Sequence, residues 1–171
     1  LYAFDADEGF QLWRFPTEHG VWSTPAVVAG VAYFGSMDHN VYALEIERES
    51  YELLWKFPTQ GGVTATPLVA DGRVYVGAFD SVFYAIDAQA GTEVWRFEGA
   101  SNWYWAPAIS ADATIYAPSL DGNLYALDIA SGEQRWVLET GESIVGSPVI
   151  VGDWIVVGPS DGRIRAVNRA S

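Results

Sequence analysis

The chain has 171 residues, of which 50% are hydrophobic and 18% are charged, a composition typical of a globular protein and not of a disordered segment. Twenty-two acidic residues outnumber nine basic ones, and the formal charge of −13 excludes a surface that neutralises nucleic-acid phosphates or anionic lipid. The longest apolar run, residues 26–34, is far shorter than the roughly 20 residues that span a bilayer. The absence of cysteine excludes a disulfide framework, a thiolate zinc site and a cysteine nucleophile.

Four of the eight tryptophans recur at a fixed interval, which indicates an internal repeat. Their spacings are 42, 40 and 41 residues, and a set of prolines repeats the same three intervals. The two sets are Trp13, Trp55, Trp95 and Trp136, and Pro25, Pro67, Pro107 and Pro148. A third marker, Tyr-Ala-x-Asp or a variant of it, begins at positions 2, 42, 84, 125 and 165. Three markers with one period fix the register of the repeat.

Each unit is predicted to form four short strands, because apolar and β-branched runs alternate with Gly, Asp and Pro turn signals. In the second full unit the predicted strands cover residues 66–70, 73–79, 82–87 and 92–97. Connections this short force an antiparallel meander. A period near 40 residues with four strands per unit is typical of propeller blades. The sequence therefore predicts an all-β fold, a β-propeller of four-stranded antiparallel blades.

In chain order, residues 1–15 are predicted to end one blade, residues 16–57, 58–97 and 98–138 to form three blades, and residues 139–171 to form an incomplete blade of a single partial propeller. Leu1 aligns with Ile164, so the third strand of a blade occurs at both ends. Four blades of this curvature should not close into a ring, and we expect an open arc with unpaired strand edges. Two alternatives would complete it: further blades of a longer chain, or head-to-tail association of two copies.

Three segments share the pattern Ala-x-Asp-x-x-x-Gly-x-x-x-Trp, namely residues 3–13, 85–95 and 126–136. A fourth, residues 43–55, has two extra residues and lacks the Gly, so we expect looser docking there or a turn that bulges outward. The pattern resembles the tryptophan-docking motif of the pyrroloquinoline-quinone-type repeat. That family comprises quinoprotein dehydrogenases and non-enzymatic relatives such as the lipoprotein scaffold of the outer-membrane barrel-assembly machinery. The resemblance implies a ring of seven or eight blades, of which about four are present, and an extracytoplasmic location.

The repeated tryptophans are interpreted as packing residues between blades. A large flat indole on the outer strand needs a small residue beneath it, and an alanine at a fixed offset leaves that space, while a glycine permits the turn that brings the two together. The predicted structural docking residues are Trp13, Trp55, Trp95, Trp136, Ala3, Ala43, Ala85, Ala126, Gly9, Gly91 and Gly132.

The loops between blades and the loops between the second and third strands are predicted to share one face, which we call the loop face. Loops on a rigid scaffold commonly carry binding residues. Trp103, Tyr104 and Trp105 interrupt the repeat pattern there, and three adjacent side chains cannot all point to one side, so at least one should be exposed near the axis. With Trp22 and His19 they would form an aromatic lip. The full predicted binding set is His19, Trp22, Met37, His39, Trp103, Tyr104 and Trp105.

Carboxylates that recur in the inner loops raise the question of a Ca²⁺ site. They are Asp38, Asp80, Asp121 and Asp161. Capping of backbone amides in their own turns explains a carboxylate in every unit better than a single metal site does. The histidines, His19 and His39, lack a third ligand at a recognisable spacing. We therefore predict no metal.

Catalytic patterns are missing from the sequence. No Gly-x-Ser-x-Gly segment occurs, and residues 141–147 imitate a phosphate loop without its lysine. The resemblance implies that a quinone-dependent dehydrogenase needs a quinone, Ca²⁺, a catalytic Asp and site-building inserts, commonly beside a vicinal disulfide. This chain has neither cysteines nor inserts, since each outer strand ends ten residues before the next repeated proline.

The sequence thus predicts a non-catalytic scaffold module, without a cofactor, that binds a protein or peptide partner through the loop face. Two alternatives stay open: binding of a carbohydrate or small ligand by the aromatic lip, and membership of a quinone-dependent dehydrogenase.

Overall fold

The computed structural model describes residues 1–169, which form seventeen β-strands and no helix. All paired strands are antiparallel, and they form five sheets that succeed one another along the chain. The predicted all-β architecture of four-stranded antiparallel blades in an open arc is confirmed. No helix within residues 1–169 has the length and apolar character needed to span a membrane.

The five sheets are an N-terminal hairpin and four blades, of which the last has three strands. The hairpin contains β1 (Tyr2–Phe4) and β2 (Gln11–Arg14), and the first blade contains β3 (Ala26–Val28), β4 (Val31–Ser36), β5 (Asn40–Ile46) and β6 (Tyr51–Pro58). The second blade contains β7 (Leu68–Ala70), β8 (Arg73–Gly77), β9 (Phe83–Asp87) and β10 (Glu93–Phe97). The third contains β11 (Ile109–Ala111), β12 (Thr114–Pro118), β13 (Asn123–Asp128) and β14 (Gln134–Glu139), and the fourth contains β15 (Val149–Val151), β16 (Trp154–Val157) and β17 (Arg165–Asn168).

The turn between the third and fourth strands of a blade is built by the Asp and Gly of the repeated motif. In the second blade, Asp87 Oδ1 accepts hydrogen bonds from the backbone N–H groups of Gln89 and Ala90, at 2.9 and 2.7 Å. Gly91 then adopts a φ of +66° and donates to the Asp87 carbonyl. Glycine adopts such a φ without the steric cost that a side chain adds. The motif therefore encodes the turn as well as the packing around it.

The two extra residues of the first blade lengthen its outer hairpin. β5 and β6 continue pairing outward through Glu45 opposite Glu52 and Ile46 opposite Tyr51. Trp55 itself remains buried. Of the two outcomes expected for this departure, the structure shows the outward extension and not a loosened tryptophan.

The hydrophobic core lies between successive sheets. One face of each blade contacts the preceding blade, and we call it the leading face; the opposite, trailing face contacts the following blade. Between the first and second blades, Tyr33 and Val41 pack against Val74 and Ile86. Similar clusters fill the next two boundaries, and a fourth lies between the N-terminal hairpin and the first blade. Stability thus resides in blade-to-blade burial, as in other repeat architectures.

Candidate functional site

The docking tryptophans hold each blade to the one that follows it. Ala43 lies directly opposite Trp55 on the neighbouring strand, and the equivalent pairs recur in the other blades. The Trp55 Nε1–H then donates a 2.9 Å hydrogen bond to the carbonyl of Ala88, in the second blade. Trp95 repeats this contact with Ile129, and Trp13 donates to Glu47. Trp136, on the third blade, is only half-buried.

The motif glycine contacts a different indole from the one that follows it in the sequence. A side chain at Gly91 would overlap Trp55 of the preceding blade, and one at Gly132 would overlap Trp95. At Gly9 a Cβ would meet no atom within 4 Å. The glycine forms the turn that brings the Ala and Trp of its own segment together, as expected. At Gly91 and Gly132 it also leaves room for the indole of the preceding blade, which the sequence did not indicate.

Each inter-blade loop inserts one side chain into the preceding blade. We call this side chain the plug and its position in the second strand of that blade the socket. Val63 fills a socket at Gly35, and Tyr104 fills one at Gly77, where any side chain would overlap the plug. The plug N–H groups of Val63 and Tyr104 donate to the carbonyls of Ser36 and Ala78, at 3.0 and 3.3 Å. Ile144 makes the equivalent bond to Ser119.

Tyr104 is the member of the three-aromatic segment that points inward, with 1% of its surface exposed. Its neighbours are consequently turned away from the core, and Trp103 and Trp105 are 46% and 41% exposed. The strand alternation that required at least one exposed ring thus leaves two of the three exposed.

Phe79 joins these two tryptophans into a stack. Its ring is 4.7 Å from that of Trp103 and 5.6 Å from that of Trp105, with interplanar angles of 17° and 16°. Trp22, which is 63% exposed, contacts Trp105 at 6.5 Å. We call Trp22, Phe79, Trp103 and Trp105 the aromatic cluster. It extends from the first to the third blade across the loop face.

Sequence reasoning did not find Phe79, because the residue lies in the second blade, 24 residues before Trp103. A signal was nevertheless present. Phe79, Met37, Leu120 and Ser160 occupy equivalent positions, since each donates its backbone N–H to the inter-blade loop of its own blade. Phe79 is the aromatic residue among these four, and the second blade is the one that precedes the three-aromatic segment.

The remaining predicted binding residues lie apart from the stacked rings. His19 is exposed and lines a groove beside the N-terminal hairpin, together with Pro16 and Val21. His39 is exposed at a turn with a φ of +66°. Met37 is half-buried and its sulfur faces Gly62 of the next inter-blade loop. The structure thus assembles Trp22, Trp103 and Trp105 with Phe79 and gives Tyr104 a buried position beneath them.

The repeated inner-loop aspartates form clamps between two loops. Asp80 Oδ2 accepts a 2.7 Å hydrogen bond from the hydroxyl of Tyr84 and a 2.8 Å bond from the N–H of Gln60 in the inter-blade loop, while Oδ1 accepts from Val82. Asp38 and Asp121 repeat this arrangement with Tyr42 and Tyr125. In the fourth blade Arg165 takes the place of the tyrosine and binds Asp161 at 2.7 Å.

Burial and hydrogen bonding in the clamps raise the pKa values of the tyrosines, and hydrogen bonding lowers that of Asp38. Burial and the bond to Asp121 raise the pKa of Tyr125 to about 12, and burial with the bond to Asp80 raises that of Tyr84. Burial opposes ionisation of Asp38, but hydrogen bonds from Asn40, Tyr42 and the Glu18 N–H outweigh it and lower its pKa. Asp38 is therefore a carboxylate at neutral pH and adds negative charge to the loop face.

The loop face does not fit a quinone held with Ca²⁺. The oxygens of the recurring aspartates already accept hydrogen bonds from hydroxyl, amide or guanidinium groups. Within residues 1–169 no three His, Cys, Asp or Glu side chains are grouped closely enough to hold a metal ion.

On the face opposite the loop face, grooves recur at equivalent boundaries between blades. One lies between the first and second blades and is lined by Tyr33, Arg73 and Asp87. Another lies between the third and fourth blades, where Tyr116 and Asn168 occupy the positions of Tyr33 and Asp87. Because equivalent residues line both, these grooves reflect the geometry of adjoining blades.

The successive four-stranded sheets and their docking contacts define a β-propeller of pyrroloquinoline-quinone-type repeats. A family model described as outer membrane protein assembly factor BamB matches residues 1–102 and again residues 84–171. Because the two matches together cover the whole chain, the chain belongs to this family. A search of curated protein sequences gives no significant match.

Solved structures show the same fold at low sequence identity. BamB from Moraxella catarrhalis is 19% identical, with a TM-score of 0.81, and the match covers 94% of this chain and 50% of that chain. The computationally designed Ika4 protein is 18% identical, with a TM-score of 0.79, over 90% of this chain and 93% of that chain. The quinohemoprotein alcohol dehydrogenase ADHIIG from Pseudomonas putida HK5 is 20% identical, with a TM-score of 0.76, over 91% of this chain and 33% of that chain. The chain thus spans about half the length of the BamB structure.

Proposed function

We propose that this protein is a non-catalytic scaffold that binds a protein partner through the aromatic cluster of its loop face. The observation that carries the proposal is the stack of Phe79 with Trp103 and Trp105, extended by Trp22, on the loop face. Exposed tryptophans that lie together on a rigid frame are typical of the central residues of binding surfaces.

The frame beneath the cluster is fixed before any partner binds. Tyr104 is locked in its socket at Gly77, so the backbone that carries Trp103 and Trp105 has little freedom. The aspartate clamps tie the inter-blade loop of each blade to its inner loop. Binding through a surface of this kind loses little conformational entropy, which favours affinity.

Charge supports a basic partner. Asp80 follows Phe79 directly in the chain, the chain as a whole carries a formal charge of −13, and Asp38 is ionised at neutral pH. An acidic surface around an apolar centre attracts a segment that combines apolar side chains with lysine or arginine. The partner we propose therefore presents an extended or amphipathic segment with alternating apolar and basic residues.

Family membership supports a role in outer-membrane protein assembly in an extracytoplasmic compartment. The matching family is described as an outer membrane protein assembly factor. In this role the chain would hold a component of the assembly apparatus, or a substrate segment, in position by contact alone. A strain that lacks the protein should have less assembled outer-membrane protein. The wild-type gene should restore the level, whereas a Trp22→Ser/Trp105→Ser variant should not.

Binding is tested with two synthetic peptides, one of alternating Leu and Lys and one of alternating Leu and Glu, by isothermal titration calorimetry. We expect the basic peptide to bind and the acidic one not to bind. Trp105→Ser should weaken binding by about tenfold or more. Trp154→Ser is the matched control, because Trp154 is similarly exposed but belongs to the fourth blade. Equal affinity of both peptides, or unchanged affinity of the Trp105→Ser variant, would overturn the proposal.

Carbohydrate binding is the second candidate, because the exposed indoles of the aromatic cluster could stack on sugar rings. A glycan array distinguishes the two: we expect no glycan to bind, and a glycan whose binding requires Trp105 would favour this second function over the first.

A further inference from the structure

One residue beneath the aromatic cluster differs from its counterparts in the other blades. The residue after the plug points away from the core, since side chains alternate along an extended chain, and Trp105 and Val145 at this position are 41% and 53% exposed. Trp22 has the same position in the first inter-blade loop and is 63% exposed. Thr64, in the second blade, is only 9% exposed. Because the indoles of Trp22 and Trp105 meet from the blades on either side of it, they cover Thr64.

The hydroxyl of Thr64 is buried and has no hydrogen-bond partner in the described structure. Packing does not require this hydroxyl, because Val145 supplies a side chain of the same shape at the equivalent position of the fourth blade. An unpaired buried hydroxyl lowers stability. It lies close to the aromatic cluster, since Phe79 donates its backbone N–H to Gly62, two residues before Thr64. A ligand of the aromatic cluster that carries a hydrogen-bond acceptor would give this hydroxyl a partner.

The tryptophans of the aromatic cluster have unused donors as well. The docking indoles of Trp13, Trp55 and Trp95 donate their N–H groups to carbonyl oxygens at 2.9 to 3.3 Å. In the part of the chain that the structure describes, the indole N–H groups of the cluster tryptophans have no protein acceptor. An indole N–H donates a hydrogen bond and cannot accept one. The aromatic cluster therefore offers flat apolar rings edged with donors.

This chemistry selects among polypeptide segments. An ordinary segment laid on the rings would bury backbone N–H groups against indoles that cannot accept their hydrogen bonds, which lowers affinity. Proline has a carbonyl oxygen but no N–H, so a segment rich in proline supplies acceptors without adding donors. Such a segment adopts the polyproline II conformation, which has no internal hydrogen bonds and leaves its carbonyls free. Grooves lined by aromatic side chains recognise this conformation.

Carboxylates beside the rings define the charge of the segment. Asp80 follows Phe79 directly in the chain. Asp121 accepts a 2.9 Å hydrogen bond from the N–H of Ser101, two residues before Trp103. Carboxylates on both sides of the stacked rings favour a segment that carries Lys or Arg among its prolines.

We propose that the partner of the aromatic cluster is a proline-rich segment in the polyproline II conformation that also carries basic residues. The inference rests on the proposed function and specifies the partner. Prolines of the segment stack on the rings, and the N–H groups of Trp103 and Trp105 donate to its carbonyl oxygens. The segment parts Trp22 from Trp105, and the hydroxyl of Thr64 then donates to a further carbonyl. Exposed side chains change rotamer within nanoseconds, so this opening needs no movement of the backbone.

Two synthetic peptides of equal length and charge test the preference for proline by isothermal titration calorimetry. One repeats Pro-Pro-Lys and the other repeats Leu-Leu-Lys. We expect the proline peptide to bind at least about tenfold more tightly, whereas burial of apolar surface alone predicts the opposite order, because leucine is the larger apolar side chain. A peptide that repeats Pro-Pro-Glu should not bind. Equal affinity of the two basic peptides, abolished by Trp105→Ser, would overturn this inference and leave the proposed function intact. Failure of both basic peptides to bind would overturn both.

Variants that remove only a donor test the hydrogen bonds. Trp103→Phe and Trp105→Phe keep an aromatic ring without the N–H, and each should weaken binding of the Pro-Pro-Lys peptide by about threefold or more without weakening that of the Leu-Leu-Lys peptide. Trp154→Phe, at an exposed tryptophan of the fourth blade, is the matched control and should change neither affinity.

Thr64→Val is the sharpest of these variants, because it removes an unpaired hydroxyl and keeps the shape of the side chain. It should not lower the melting temperature of the free protein, yet it should weaken binding of the Pro-Pro-Lys peptide by about threefold or more. Unchanged affinity for this peptide in all three donor variants would overturn the inference.

Discussion

The hydroxyl of Tyr84 donates a 2.7 Å hydrogen bond to Asp80, four residues earlier in the chain. The same pair of residue types, at the same separation, occurs as Tyr42 with Asp38 and as Tyr125 with Asp121. Each of these carboxylates also accepts a hydrogen bond from a backbone N–H of the loop that enters its blade. The tyrosine therefore holds the carboxylate in the position in which it binds the loop. The third strand of a blade is thereby linked to the surface on which the aromatic cluster lies.

Two variants compare the loss of a hydrogen-bonded hydroxyl with the loss of one that has no partner in the described structure: Tyr84→Phe and Tyr104→Phe. Tyr84→Phe should lower the free energy of unfolding by about 1.5 to 3 kcal/mol, the usual contribution of a hydrogen bond to a charged group. The hydroxyl of Tyr104 is buried without a hydrogen-bond partner in the described structure. Tyr104→Phe should therefore leave stability unchanged or raise it. Urea denaturation of both variants checks the prediction, and a larger loss for Tyr104→Phe would contradict it.

Alkaline pH should unfold the protein through the clamp tyrosines. Burial and the bond to Asp121 raise the pKa of Tyr125 to about 12 in the folded chain, above the value of about 10 for an unfolded tyrosine. The stabilisation that follows is complete below the unfolded pKa and is lost as the pH rises towards the folded one. Denaturant midpoints should fall over this interval, and Tyr125→Phe should make the fall shallower. The part of the tyrosinate absorbance that the Tyr125→Phe change removes should rise together with unfolding and not before it.

The sequence predicted the blade because every unit repeats the same apolar strand pattern and the same turn residues. In the second blade the expected strands at residues 73–79 and 82–87 correspond to β8 (Arg73–Gly77) and β9 (Phe83–Asp87). The prediction extends β8 by two residues because Ala78 and Phe79 are apolar, and the structure uses them in the inner loop that supports the aromatic cluster. Apolar character alone does not distinguish a strand residue from a loop residue that packs on another blade.

The candidate site was only partly predictable, because some of its contacts join residues that are far apart in the sequence. The exposure of two rings in the three-aromatic segment follows from strand alternation, which is local. The contact of Phe79 with Trp103, and that of Gly91 with Trp55, join residues of different blades. Because the blades repeat, a sequence spacing does not indicate whether two motif residues meet within one blade or across a boundary. The capping of the Val82 N–H by Asp80, by contrast, is local and was predicted. The bond from Tyr84 to Asp80 was not predicted, although an aspartate four residues before a tyrosine recurs in three units.

Removal of a docking indole should lower the free energy of unfolding more than removal of an exposed indole. Trp95 is buried between the second and third blades and is hydrogen-bonded to Ile129. Trp95→Ala should lower the free energy of unfolding by about 3 to 5 kcal/mol, because a cavity remains between the sheets. Trp136→Ala should cost less, since Trp136 is only half-buried. Trp22→Ala, on the exposed cluster, is the control. Thermal and urea denaturation measure the order, and a loss below about 1 kcal/mol for Trp95→Ala would exclude the packing role.

Two glycines with nearly the same backbone conformation isolate the contribution of the neighbouring indole. Gly9 and Gly132 have φ values of +74° and +75°. A side chain at Gly132 would overlap the indole of Trp95, whereas one at Gly9 would meet no atom within 4 Å. Gly9→Ala should cost about 1 to 2 kcal/mol for the strained φ. Gly132→Ala should cost a further 1 to 3 kcal/mol or so, because the second and third blades must separate to admit the methyl group.

The backbone strain is common to both variants. The difference between their losses of unfolding free energy, measured by urea denaturation, is therefore the cost of fitting a methyl group against the Trp95 indole. Combining Gly132→Ala with Trp95→Ala makes the origin of the difference explicit. In that background the indole is already gone, so the added methyl group should cost no more than it does at Gly9. Equal losses for Gly9→Ala and Gly132→Ala in the wild-type background would mean that the glycine serves only its own turn, and the second role assigned to it here would be wrong.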